Sequence, residues 1–180
     1  MDNLIKSSIV EILTNNKELL QIPIRQKAKF EGWLKFELAN HLEMKGMELV
    51  EVESKPFFSR NRTDITFFSQ DNLYSIELKT PNTNWHIDGV SNNCRPITKN
   101  IQSIIDDAIK LNSNQGIVAF VLFPIPLNDN RWQEYIIRIK EELKINIDFN
   151  KNCSLVEMNV NSSSKCNVLV CAFISKYFRN

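Results

Sequence analysis

Glycine is scarce in this chain, four residues in 180. Neither a G-x-G-x-x-G nor a G-x-x-x-x-G-K-[ST] fingerprint occurs, which argues against a glycine-rich phosphate loop. Histidine is scarcer still, His41 and His86 alone, and Cys94, Cys153, Cys166 and Cys171 form no C-x-x-C pair. These shortages argue against a zinc site and a disulfide framework. Four scattered cysteines in a chain this long read as reduced, mostly buried thiols of a cytosolic protein. An excess of one charge is also missing. The net charge is +1, so there is no global basic field, and nucleic-acid binding would need a local patch. The longest apolar run, GIVAFVLFPIP, is too short to span a bilayer and carries prolines. The N-terminal MDNLIKSSIVEILTNNKELL is interrupted by charges and lacks a signal-peptide core. A cytoplasmic protein with no membrane association is expected. Any bound metal would be held by carboxylates, which favours hard cations such as magnesium or manganese.

What is present suits a compact fold. Hydrophobic residues make up 43% of the chain, enough for one domain over residues 1–180 with a substantial core. Helical periodicity runs over residues near 3–20 and again over 27–45, where Gly46 is placed to end the second helix. ELVEVE (48–53) alternates like a half-buried strand. Two strands follow, 62–69 and 73–80, joined by the turn SQDN. After a loop from Pro81 to about Pro96 come a helix (97–111), an apolar strand (116–124), a helix (130–144) and a last strand (164–175). The two apolar strands imply helical cover on both faces. The expected architecture is α/β: a three-layer sandwich with a central mixed sheet flanked by helices.

The chemistry concentrates in RTDITFFSQDNLYSIELKT (62–80). Glu77 and Lys79 are two apart on a strand, so they project to one face, with Ile76 and Leu78 toward the core. The SQDN turn pairs this strand antiparallel with the previous one, bringing Asp64 beside Glu77. The Leu78 carbonyl lies between Glu77 and Lys79. Two carboxylates and a carbonyl form an oxygen ligand set that magnesium accepts, with waters completing the shell. Lys79 would stand beside the metal-bound water, to orient or help deprotonate it and to stabilise charge on a phosphate. FEGWLKFELANHL (30–42) offers a further acid. Leu34, Leu38 and Leu42 form an apolar stripe, and Glu31 lies in line with it, where a carboxylate needs compensation. Glu37, nearer the stripe's edge, is the second candidate.

An acidic helix, then Asp64, then Glu77-Leu78-Lys79 on successive strands, then a helix: this order resembles the PD-(D/E)XK nuclease superfamily, over roughly residues 27–125. The resemblance implies a restriction-endonuclease-like fold and phosphodiester hydrolysis. It implies magnesium (or manganese) held by Asp64, Glu77 and the Leu78 carbonyl, Lys79 as a catalytic residue, and Glu31 assisting the metal. Thr63 stands where the family pattern has proline. The resemblance also points to double-stranded DNA as substrate. One such site cuts one strand, so a homodimer is expected of a double-strand cutter, through Phe57–Phe58 or the first helix; a partner subunit is the alternative.

The loop TPNTNWHIDGVSNNCRPITKN (80–100) must rim the site. Asn84, Arg95 and Lys99 are candidate contacts to bases or phosphates, and Trp85 a candidate base-stacking platform; Trp85 packing on the core is the other reading. Arg25, Lys27, Lys29, Lys35, Arg60 and Arg62 could form a phosphate-facing rim or a solvated face. Trp33 and Phe36 are expected to pack on the first helix, and Phe67 and Phe68 in the core or an interface. Two other functions suit the same residues: a catalytically inactive nucleic-acid-binding module of this fold, and a protein-interaction subunit whose acids are structural.

Overall fold

A computed structural model describes residues 1–54, 62–92, 96–111, 113 and 115–176. Six helices and six strands are placed among them: α1 (Asp2–Asn15), α2 (Lys17–Gln26), α3 (Glu31–Met44), β1 (Glu48–Ser54), β2 (Thr63–Ser69), β3 (Asn72–Lys79), α4 (Ile97–Leu111), β4 (Gly116–Ile125), α5 (Trp132–Leu143), α6 (Phe149–Asn152), β5 (Cys153–Asn159) and β6 (Lys165–Ile174). The strands form one mixed sheet in the order β1-β2-β3-β4-β6-β5. Every neighbouring pair is antiparallel except β3 and β4.

Period-2 alternation divides the core into two layers. Ile65, Phe67, Ile76, Leu78, Ile117, Ala119 and Val121 face α1, α2 and α3. Val118, Phe120, Leu122, Leu169, Cys171 and Phe173 face α4 and α5. β4 is buried along its whole length, as a central strand covered on both sides must be. Helices on both faces of a mixed sheet are compatible with the three-layer sandwich expected.

Several elements differ from the sequence expectation. The first helical stretch is two helices, because Asn16 turns its side chain back to the Ile12 carbonyl (2.8 Å) and closes α1 there. The next helix begins at Glu31, not at 27; Lys27 lies in the left-handed region (φ 49°) in the turn after α2. β5 and α6 were not anticipated. β5 is an edge strand whose CSLVEMN alternates buried and solvent-facing residues, and Asp148 caps α6 by accepting from the Asn150 and Lys151 N–H groups.

Two turns match. Gly46 (φ 81°) follows α3, with its N–H on the Glu43 carbonyl (2.9 Å) and the Met47 N–H on the Leu42 carbonyl (3.0 Å), a Schellman closure. Gln70 and Asp71, both at positive φ (49° and 61°), make the two-residue hairpin between β2 and β3. Among the described residues, no helix is long and apolar enough to cross a membrane.

Candidate functional site

The pairing of β2 with β3 runs from Ser69↔Asn72 to Ile65↔Ile76, while β3 stays paired with β4 as far as Lys79↔Phe120. The two antiparallel strands part, and Asp64 fills the fork: its Oδ2 accepts from the Leu78 N–H at 2.8 Å. In an extended strand the N–H and C=O of one residue point to the same side, so the Leu78 carbonyl also faces β2. Glu77 and Lys79 pair with Val118 and Phe120, which lie on the α4 face. Ile76 and Leu78 are fully buried on the other face. The sequence phase of β3 is therefore the observed one, and Asp64 and Glu77, next beyond the Ile65↔Ile76 pair, are neighbours whose charges act on each other.

From the opposite layer α3 brings two side chains one turn apart. Glu31 Oε2 accepts from the Thr80 N–H (3.2 Å), so Glu31 rather than Glu37 is the α3 acid at the fork. Lys35 Nζ lies 2.7 Å from Asp64 Oδ1 and also pairs with Glu53 on β1. Burial pulls the Lys35 ammonium down, but Asp64 and Glu53 outweigh it and leave its pKa above the ordinary value.

On the α4 side stands an acid that the sequence reading did not single out. Asp107, only 4% exposed, places Oδ2 3.1 Å from Lys79 Nζ and Oδ1 2.8 Å from Lys110 Nζ. Its one signal in the sequence was position, since Asp107 falls in line with the apolar Ile97, Ile101, Ile104 and Ala108 of α4.

The charges of the cluster act on one another. Glu77 is pushed up to about 8, first by burial and then by the negative charges of Asp64 and Asp107, with Lys79 opposing. At neutral pH Glu77 therefore holds its proton. Lys79 loses some basicity to burial but gains more from Asp107, Glu31 and Asp64, so its pKa stands above the usual lysine value. It is a fixed cation at pH 7, suited to stabilising negative charge and not to removing a proton.

The remaining candidates are dispersed. Asn84 is exposed, and Lys99 is exposed in the first turn of α4. Trp85 is not available to stack on a base: it is 6% exposed, with the Arg131 guanidinium 4.7 Å over its ring and Tyr135 packed beside it. The reason is the path of the loop. The Thr83 N–H bonds to the Phe123 carbonyl (2.7 Å), and the Phe123 N–H to that of Pro81 (3.1 Å), so residues 81–83 continue β3 along β4 and carry Trp85 into the α4–α5 layer.

The proposed basic rim is not one surface. Lys27 and Lys35 are buried, and Lys27 donates to the Trp85 carbonyl at 3.2 Å. Arg25, Lys29 and Arg62 are exposed. Phe67 is core and Trp33 packs against it, but Phe36 is 66% exposed and does not cover α1. Phe57, Phe58, Arg60, Cys94 and Arg95 lie outside the described residues.

Glu31, Glu53, Asp64, Glu77 and Asp107 face Lys35, Lys79 and Lys110, which leaves two net negative charges, or one while Glu77 holds its proton. Such a centre repels a phosphodiester until a cation is added. Two neighbouring carboxyl groups, of which Glu77 holds a proton, beside the Leu78 carbonyl are donors a hard cation can use in place of that proton. Among the described residues, no three His, Cys, Asp or Glu side chains form a ready-made cation cage, so water would complete the shell. Comparison with family models, with curated proteins and with solved structures finds no match to this chain.

Proposed function

We propose that this chain is a metal-dependent nuclease of PD-(D/E)XK type, with a restriction-endonuclease-like fold, that hydrolyses phosphodiester bonds in double-stranded DNA. The observation that carries the reading is the Asp64–Glu77 carboxyl pair at the β2–β3 fork, beside the charged Lys79. Magnesium or manganese at this pair would polarise the scissile phosphate and lower the pKa of a bound water. Asp64 and Glu77, with the Leu78 carbonyl, would hold the ion, and Glu77 would give up its proton as the ion binds. Lys79 offers its ammonium to the negative charge that builds on the phosphoryl oxygens. Glu31 ties α3 to the end of β3 through the Thr80 N–H (3.2 Å) and fixes the height of Lys79. The exposed Asn84 and Lys99 are the contacts left to the flanking DNA, and a homodimer would supply the second cut.

Lys35 favours a second reading. Its ammonium already neutralises Asp64 (2.7 Å), as expected if an internal cation had replaced the metal in an inactive nucleic-acid-binding or protein-interaction module of the same fold. The two diverge on plasmid and single-stranded DNA treated with magnesium, manganese or EDTA. The nuclease reading expects metal-dependent cutting that Asp64→Ala abolishes, with calorimetric manganese binding lost in the same variant. No cutting and no manganese binding by folded wild type would select the inactive module.

A further inference from the structure

We propose that Asp107 is the positioning residue of this site: clamped by Lys110, it holds the Lys79 ammonium on the α4 side, away from the Asp64–Glu77 pair. The inference rests on the nuclease reading for its catalytic consequence and on geometry for everything else.

Lys79 extends from β3 into a cluster richer in acids than in lysines. Left to itself, an ammonium on a flexible four-carbon stem would fold onto the nearest pair of carboxylates. Asp64 and Glu77 are next to each other at the fork, and a lysine lodged between them would occupy the oxygens proposed to take the metal. Among the described residues, Asp107 is the one carboxylate within ion-pair distance of Lys79, at 3.1 Å. It sits on the helix that packs over that face.

Asp107 is itself fixed. It is 4% exposed, and Lys110 holds its Oδ1 at 2.8 Å, one turn along the same helix. Its Oδ2 is buried and faces the Lys79 ammonium at 3.1 Å. An acid engaged on one oxygen, with the other pointed into the site, holds an ammonium without saturating it. An ammonium carries three protons, so engagement by one carboxylate oxygen leaves donors for a phosphate oxygen. α4 thereby sets where the β3 lysine stands, and Lys79 stays off the Asp64–Glu77 oxygens.

The test combines single-turnover cleavage with chemical labelling of lysines in metal-free protein, read by peptide mass spectrometry. Asp107→Asn should lower kcat ~10- to 100-fold with KM changed less than threefold, as expected when a reacting group is displaced by about an ångström. In a Lys79→Met background the same substitution should cause no further loss, because Asp107 acts only through Lys79. Labelling of Lys79 by an amine-reactive ester should change at least threefold in Asp107→Asn, while the exposed Lys99 labels as before.

Lys110→Met alters an exposed side chain and covers the case in which Asp107→Asn fails to fold. It should move kcat and Lys79 labelling in the same direction by a smaller factor. Wild-type rates and labelling in both variants would overturn the proposal, as would losses that multiply in the double variant. If wild type cuts no nucleic acid, the nuclease reading fails by itself, and the labelling result alone decides the placement of Lys79.

Discussion

Glu77→Gln keeps the shape of the side chain and removes its titration. In wild type the native state holds the Glu77 proton up to about pH 8, whereas an unfolded chain releases it in the ordinary carboxyl range. Native protein therefore binds more protons than unfolded protein between about pH 5 and 8, and stability falls as pH rises through that window. The contribution of the protonated form is complete below the ordinary carboxyl pKa and gone above about 8. Taken whole, a displacement from 4.5 to about 8 corresponds to ~5 kcal/mol. The Glu77 side chain is only partly buried, and solvent screening reduces the expected loss to ~2 kcal/mol. Urea unfolding, followed by circular dichroism from about pH 5 to 9 in EDTA, measures it. Wild type should lose ~2 kcal/mol relative to Glu77→Gln across the window. Parallel curves for the two proteins would refute the reasoning, because no other difference between them titrates there. On the proposed metal reading, manganese should then reverse the wild-type trend, because a cation at this site would bind the deprotonated carboxylate and stabilise more as pH rises.

Glu31→Ala should cost ~1–2 kcal/mol by removing the acceptor of the Thr80 N–H, whereas Glu31→Gln, which keeps an acceptor oxygen, should stay within ~0.5 kcal/mol; thermal unfolding separates the two. Trp85→Ala should cost ~3–5 kcal/mol as a core truncation, and the fluorescence of Trp85 should not respond to added oligonucleotide, which single-tryptophan variants can check. Gly89→Ala should cost ~1–2 kcal/mol in urea titration, because φ is +81° and a Cβ would stand 2.5 Å from Asn161 Nδ2, in a side chain anchored by the Ser163 and Ser164 N–H groups.

Asp64, Glu77 and Lys79 were legible in the sequence because a strand has a period of two and the β2–β3 turn admits one register. Once Ile76 and Leu78 are inside, Glu77 and Lys79 must share the other face. Asp107 was obscured by its neighbour. Asp106-Asp107 on an amphipathic helix reads as a solvated pair, and only the packing of α4 on β3 decides that one is buried and the other exposed. Trp85 was ambiguous for the same reason: a loop tryptophan packs or stacks according to where the chain is pinned, and here the pins are backbone bonds to Phe123. The split of the first helix turned on one Asn16 side-chain bond, which hydrophobic periodicity does not register. β5 is short and lies at the sheet edge, so only half its residues carry an apolar signal.

The single parallel pairing, β3 beside β4, has a consequence for how the protein is made. Parallel neighbours cannot be joined by a hairpin, and here α4 forms the crossover between them. The hairpin of β2 and β3 can form early from local contacts, but it carries only Asp64, Glu77 and Lys79. Glu31 and Asp107, 76 positions apart in the chain, arrive only when both helical layers have docked. During synthesis the full charge cluster, with Glu31 and Asp107 beside the hairpin groups, therefore stays incomplete until β4 has been added and the helices can dock on the sheet. Contacts between residues so distant in sequence form slowly, so burial of Asp107 against Lys79 after dilution from denaturant should lag behind recovery of β-structure.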